Sequence, residues 1–513
     1  MVESSSTSAL YRPLNKAEKQ IRLVRLQPGD SILILELAVF SLDTALPFKA
    51  LSYAWTELRP TKTVLLGGQE VKVRTNLYSC LQMMRDEEDF DWIFIDALCI
   101  NQDDEAERES QVALMGLLFR QAEEVIAWVG TTDYSDQHTD QELLDMQHQA
   151  EPEMPYVNKI LEPPVRHRRP DGEIDPQKML WNLTRCFCTY RYWSRLWVVQ
   201  EIVSARSLTV RCRVLRVEWQ LLMRMINQSL RLGGVTFLPV AHYSHMAHLG
   251  FNKRIAKALT EAERERGTLG FMEALTLLDF KTRLPTDRGA RLPLCELIMR
   301  VGDRDCSRRH DKLFGLFGLC ISTFSPGYGL TMVELFAIGL AQSALEIIFR
   351  CTKCGERADR SDVVTEYVDT TFRWLLKGLD LDPRRPLIAL ITHEILVVQL
   401  QWDSHWPEGL NDRWYHHTGP QNKNPIMRFA IRKARNVYRK ARWHTTMLQL
   451  RFHSRLGWPL SSPYDASDRQ SVGDWKEWVA EMVQTTRYRL QSCLQDYVVA
   501  AQWPSVDPIG GRQ

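Results

Sequence analysis

Between Trp92 and Gly130 the chain runs WIFIDALCI, a polar cluster from Asn101 to Glu105, a stretch with spaced apolar positions, and then VIAWVG. The two apolar runs are short and suit strands buried on both faces. Between them Val112, Met115, Phe119, Ala122 and Ile126 recur at three- and four-residue spacing, the pattern of an amphipathic helix. Strand, helix and strand in that order predict a parallel sheet covered by helices, and so an α/β fold.

The flanking segments fit the same plan. From Ile21 to Phe40 short, partly alternating apolar runs predict strands, and Phe48 to Trp55 predicts another. The segment Thr63 to Val73 places two apolar runs around Gly67 and Gly68, which predicts a β-hairpin. Asn76 is then expected to cap a helix carrying Leu77, Leu81 and Met84 on one face. Polar and proline-bearing sequence from Thr131 to Lys178 reads as a long surface insertion. The stretch YRYWSRLWVVQEIVSA, Tyr190 to Ala205, reads as one helix, and a helical stretch from Thr331 to Phe349 follows DKLFGLFGL, Asp311 to Leu319. The expected organisation is an α/β domain over residues 11–210, a helical extension over 211–350, and a divergent, basic, mainly helical region over 351–513.

With 513 residues the chain can bury more than one core. Its net charge of +2 gives no reason to expect nucleic acid or an acidic membrane as a partner. Local charge is another matter: between Asp412 and Asp465 there is no acidic residue and there are eleven Lys and Arg. The part from Arg428 to Arg442 either touches phosphate-bearing surfaces or docks on the protein as an amphipathic helix with its charges in water. The eleven cysteines sit mostly in apolar stretches, and the N-terminal sequence lacks a secretory pattern, so free thiols and a cytoplasmic location are expected. Cys351 and Cys354 have no second pair at zinc spacing, and no metal or bound cofactor is expected. Charges interrupt the longest apolar stretches, so no transmembrane segment is expected. Phosphate-loop, dinucleotide-fingerprint and hydrolase-triad patterns are lacking.

Four segments in this order and spacing resemble the HET domain of fungal heterokaryon-incompatibility proteins. They are FKALSYAW (Phe48 to Trp55), WIFIDALCINQDDEAERESQVALMG (Trp92 to Gly116), VIAWVG, and YWSRLWVVQEIVSA (Tyr192 to Ala205). Thr56 departs from the family pattern, which commonly has glycine after the tryptophan. The resemblance implies nonself recognition ending in programmed cell death, with other incompatibility proteins or a homo-oligomer as partners. The HET domain is further similar in plan to TIR domains, which have a flavodoxin-like sheet and in several lineages cleave NAD. That likeness implies a mostly parallel sheet flanked by helices, with NAD as the substrate.

In that comparison W-V-V-Q-E looks like the tryptophan-glutamate helix motif of TIR enzymes, which puts Glu201 at the catalytic carboxylate. A carboxylate near the ribose can stabilise an oxocarbenium-like state; equally, Glu201 can be a helix residue held by Arg195. Ser52, Tyr53 and Trp55, at the end of their strand, and Asp96 would face the same cleft, at the carboxyl ends of the parallel strands. Asp96 is the one charge in an apolar run, so it either sits at the mouth of a strand or caps the next turn. Asn101 and Gln102 could bond a ribose or amide, or simply start a helix. Tyr53, Trp55, Trp193 and Trp197 could stack on a base, with core packing the alternative for the last two. Arg195 could neutralise a phosphate or sit ion-paired.

Overall fold

The computed structural model describes residues 10–29, 32–55, 60–130, 135, 138–150, 183–188, 190–232, 271–283, 292–320, 326–354, 371–382, 388, 391–392, 394–395 and 478–490. The stretch Arg428 to Arg442, Thr56 and most of the insertion lie outside these residues. The chain divides into two units, one of residues 1–291, 300–307 and 314–319, the other of residues 292–299, 308–313 and 320–513.

The first unit is α/β, built on a nine-stranded sheet. Its strands are β1 (Gln20–Leu26), β2 (Ile34–Ser41), β3 (Lys49–Tyr53), β4 (Lys62–Leu66), β5 (Gln69–Val73), β6 (Ile93–Phe94), β7 (Glu124–Trp128), β8 (Leu208–Cys212) and β9 (Leu215–Glu218). The order across the sheet is β5-β4-β2-β1-β6-β3-β7-β8-β9. Strands β6, β3, β7 and β8 are parallel neighbours and form the centre. On either side the sheet is closed by antiparallel pairs, β8 with β9, β1 with β6 and β2, and β4 with β5, while β2 and β4 pair in parallel. The sheet is therefore mixed, with its parallel part where the apolar runs had pointed. The predicted hairpin is β4–β5, and Gly67 and Gly68 hold the positive φ values of 56° and 81° that its tight turn requires.

Helix α1 (Thr75–Asp86) follows the hairpin. Its flanking residue is Arg74, and no side chain caps it, which corrects the expected role for Asn76. The Asn76 amide is used elsewhere: it donates to the Ala54 carbonyl at 2.8 Å and accepts from the Trp128 indole at 2.8 Å. The run WIFIDALCI is a strand for only two residues. After Ile95 the chain turns into the short helix α2 (Asp96–Cys99), because the Leu98 and Cys99 amides bond back to the Ile95 carbonyl. Helix α3 (Glu105–Gln121) is capped by Asp104, which accepts from the Glu107 amide at 3.0 Å. It ends before Ile126, which belongs to β7.

Two corrections concern the later helices. Within the expected insertion, Asp140–Ala150 is helix α4, opened by a reciprocal cap: the Glu142 amide bonds to the Thr139 hydroxyl, and the Thr139 amide to the Glu142 carboxylate. The segment Tyr190 to Ala205 is two helices, α5 (Tyr190–Trp193) and α6 (Leu196–Ser204). The break at Ser194 and Arg195 arises because the chain there pairs with Asp305, whose amide bonds the Ser194 carbonyl at 2.7 Å and whose carbonyl accepts from Leu196 at 2.8 Å. Helix α8 (Phe271–Arg283) packs beside both α6 and α7 (Trp219–Leu232).

Helices cover both faces of the sheet centre. Side chains alternate along a strand, and aligned residues of parallel neighbours share a face. Tyr53, Trp128 and Arg211 are in register on one face. That face meets α1, where Arg211 bonds Glu87 at 2.7 Å just past the helix end. Ser52 and Ala127 are on the opposite face, and Ser52 meets α6.

The second unit is helical in its described residues. Its longest helix, Met332–Cys354, packs Phe336 against Phe372 with ring centres 5.8 Å apart. Glu346 on that helix accepts from the Leu294 amide at 2.7 Å, and burial pushes its carboxyl up to about 8. Among the described residues no helix is long and apolar enough to cross a membrane.

Candidate functional site

Ser52 and Tyr53 are the last two residues of β3, paired with Ala127 and Trp128, and the chain then releases Trp55, which is 36% exposed. Neighbouring β6 ends at Phe94, and two residues later Asp96 opens α2, its carboxylate accepting from the Ala97 amide at 2.7 Å. Asp96 thus both lies at the strand mouth and holds the following turn. Helix α6 brings Glu201 against the same strand ends. The sheet's parallel centre therefore sets three sequence-distant segments at one rim, where open α/β sheets bind ligands.

Glu201 is 5% exposed. Its Oε2 accepts a hydrogen bond from the Ser52 hydroxyl, and Ser52 Oγ lies 2.6 Å from the Tyr192 hydroxyl. Burial pushes the Glu201 carboxyl up to about 7, with the charge of Asp96 adding to the rise and Arg195 and the Ser52 bond opposing it. Burial also raises Asp96 above the usual carboxylate range, against the pull of Arg195, the Ala97 amide, the Trp55 indole and Arg74. The Arg195 guanidinium donates to the Tyr53 carbonyl. Arg74 stacks on Trp55 with its charge 4.9 Å from the ring centre. Tyr53 and Tyr192 are held well above the ordinary tyrosine value, mainly by burial, so both remain hydroxyl donors at any neutral pH.

Of the residues expected at the site, the structure brings together Ser52, Trp55, Asp96, Arg195 and Glu201, with Tyr53 contributing its backbone carbonyl to Arg195 and its side chain to the other face of the sheet. Trp197 lies one turn before Glu201 on α6 and is half-buried. Asn101 and Gln102 serve their own loop: the Asn101 side chain accepts from the Asp103 amide, and the Gln102 amide donates to the Asp96 backbone carbonyl at 3.0 Å. Gln102 thereby supports Asp96 from behind. Trp193 is a core residue, its indole donating to the Phe187 carbonyl at 2.8 Å. Three residues were not anticipated. Tyr192 was visible only as part of an aromatic run, Arg74 carried no motif, and nothing in the spacing of Asn76 revealed that it ties β3 to β7.

The fold and the site define an open-sheet α/β protein with two carboxyls of raised affinity for protons flanking one arginine. Residues 48–201 match the family model described as heterokaryon incompatibility protein (HET), from Phe48 on β3 to Glu201 itself. This part of the chain is similar to the HET domain. An alignment of 232 residues, covering 39% of this chain, is 25% identical to heterokaryon incompatibility protein 6, OR allele, of Neurospora crassa. The chain spans 34% of the length of that relative. No solved structure matches the chain.

Proposed function

We propose that this chain acts in heterokaryon incompatibility, where its HET domain triggers programmed cell death by cleaving NAD at the nicotinamide-ribose bond. The observation that carries this is the Glu201 carboxyl. It is nearly buried at the carboxyl ends of β3 and β6, bonded through Oε2 to Ser52, with no hydrogen bond from the described residues to Oε1.

Breaking the bond between ribose C1′ and the pyridinium nitrogen returns an electron pair to neutral nicotinamide and leaves positive charge on the ribose. An ionised Glu201 beside that carbon stabilises the charge as it develops. Water then adds to C1′ and releases a proton, giving ADP-ribose. Arg195 balances the two carboxylates and offers a donor to the dinucleotide phosphates. Trp55 and Trp197 supply aromatic faces for its rings.

A second reading is a non-catalytic module that signals through self-association or through other incompatibility proteins. It is favoured by one observation: among the described residues the one hydrogen bond to the Glu201 carboxyl is already made within the protein, by Ser52. Expression in a fungal host separates the two. On the enzymatic reading the wild type lowers cellular NAD before viability falls, and Glu201→Gln does neither. Death with undiminished NAD, equal in wild type and variant, supports the module instead.

A further inference from the structure

The chain Tyr192 OH, Ser52 Oγ, Glu201 Oε2 is buried throughout, and each link has few choices of proton. Ser52 has one hydroxyl hydrogen, and the geometry directs it to Glu201. The 2.6 Å contact between Ser52 and Tyr192 must then be made with the Tyr192 hydrogen, since Ser52 has none left to give. With Glu201 ionised, every hydrogen in the relay has an acceptor. Protonated on Oε2, Glu201 points its own hydrogen at Ser52, the Ser52 hydrogen turns to Tyr192, and the Tyr192 hydrogen is left without an acceptor in the relay; protonated on Oε1, Glu201 still accepts from Ser52 but as a weaker, uncharged acceptor. Leaving a buried donor unmade is costly, so the relay favours the ionised carboxylate.

We propose that Tyr192 is a positioning residue for Glu201, acting through Ser52 to hold the carboxylate ionised, with Oε2 fixed and Oε1 left outside the relay. This rests on the assignment of Glu201 as the reacting carboxylate, but its physical content concerns the carboxyl alone. Other charged groups act on Glu201 too. Arg195 favours the ionised form and Asp96 opposes it. Helix α8 contributes Lys281, which binds the Ala205 carbonyl at the far end of α6. Tyr53 lies beyond Arg195, on the other face of β3. The relay is thus one of two influences that offset burial, and it comes from a residue nine positions before Glu201, beyond the break between α5 and α6.

The test is a pH titration of the full chain by difference infrared spectroscopy. The protonated-carboxyl band of Glu201 is identified as the one lost in Glu201→Gln. Ser52→Ala is expected to move its midpoint up by about one pH unit, and Tyr192→Phe to move it in the same direction by less. The acid limb of nicotinamide release should follow the same order. An unmoved midpoint in folded Tyr192→Phe overturns the proposal, since a purely structural tyrosine would lower the melting temperature and leave the titration in place. Should Tyr192→Phe not fold, Ser52→Ala decides: an unmoved or lowered midpoint overturns the relay. A shifted band in a protein that releases no nicotinamide sinks the enzymatic assignment and leaves the relay standing.

Discussion

Arg22 on β1 and Glu107 on α3 form a buried two-pronged ion pair, with oxygens 2.6 and 3.0 Å from the two guanidinium nitrogens. The pair also holds the loop before α3. Arg22 donates to the Cys99 carbonyl at 3.1 Å, and Glu107 accepts from the Asn101 amide at 2.7 Å. These contacts hold the C-terminal end of α2, whose first residue is Asp96, so the pair reaches the site without touching it.

Removing one member of such a pair leaves the other charge buried alone, at a cost of about 3–5 kcal/mol. Glu107→Ala is therefore expected to lower stability in urea unfolding by about that amount. A loss below about 1 kcal/mol would mean that water reaches the guanidinium.

Asn76 ties the ends of β3 and β7 through Ala54 and Trp128. The Trp128 side chain is nearly sealed, so its indole hydrogen has no alternative acceptor in water. Asn76→Ala should cost about 1–3 kcal/mol. It should also disturb the strand end that releases Trp55, read as a shift in tryptophan fluorescence.

Helix α3 approaches the segment after Phe317 closely: a methyl group added at Gly116 would meet the Gly318 carbonyl oxygen at 3.0 Å, which is backbone and cannot swing away. Gly116→Val is expected to destabilise by about 1–3 kcal/mol through forced separation. An unchanged melting temperature would show that the two backbones are free to part.

The raised and lowered proton affinities fix the direction of pH dependence. Glu201 titrates near 7 folded against 4.5 for an ordinary glutamate. Between those values the folded chain holds a proton that the unfolded chain has released, so its contribution is complete below about 4.5 and is lost as pH rises to about 7. Lys281 runs the other way. Burial lowers it from 10.5 to about 8, so stability recovers as pH rises from about 8 toward 10.5. Melting temperature should thus fall between pH 5 and 7, and the fall should be shallower in Glu201→Gln.

The parallel centre was legible in the sequence because its strands are apolar on both sides and separated by one clear helix. The antiparallel flanks were less so, since their alternation is partial and pairing partners leave no local mark. Tertiary contacts overrode pattern in particular places. Asp305 breaks the helix before Leu196, and Ile95 folds its run into a turn. The helix at Asp140 was missed although its reciprocal threonine-glutamate cap stood in the sequence. For the site, the resemblance pointed to Ser52, Asp96, Arg195 and Glu201, which the fold brings together. Tyr192, Asn76 and Arg74 enter through hydrogen bonds and stacking across 19 to 140 positions, which spacing cannot reveal.

The most direct measurement is nicotinamide release from NAD by the purified full chain, wild type against Glu201→Gln, with folding checked by circular dichroism. Turnover by the wild type and loss of about 100-fold or more in the folded variant is the result expected of a reacting carboxylate. Equal rates in both, or no release by a folded wild type, would contradict it.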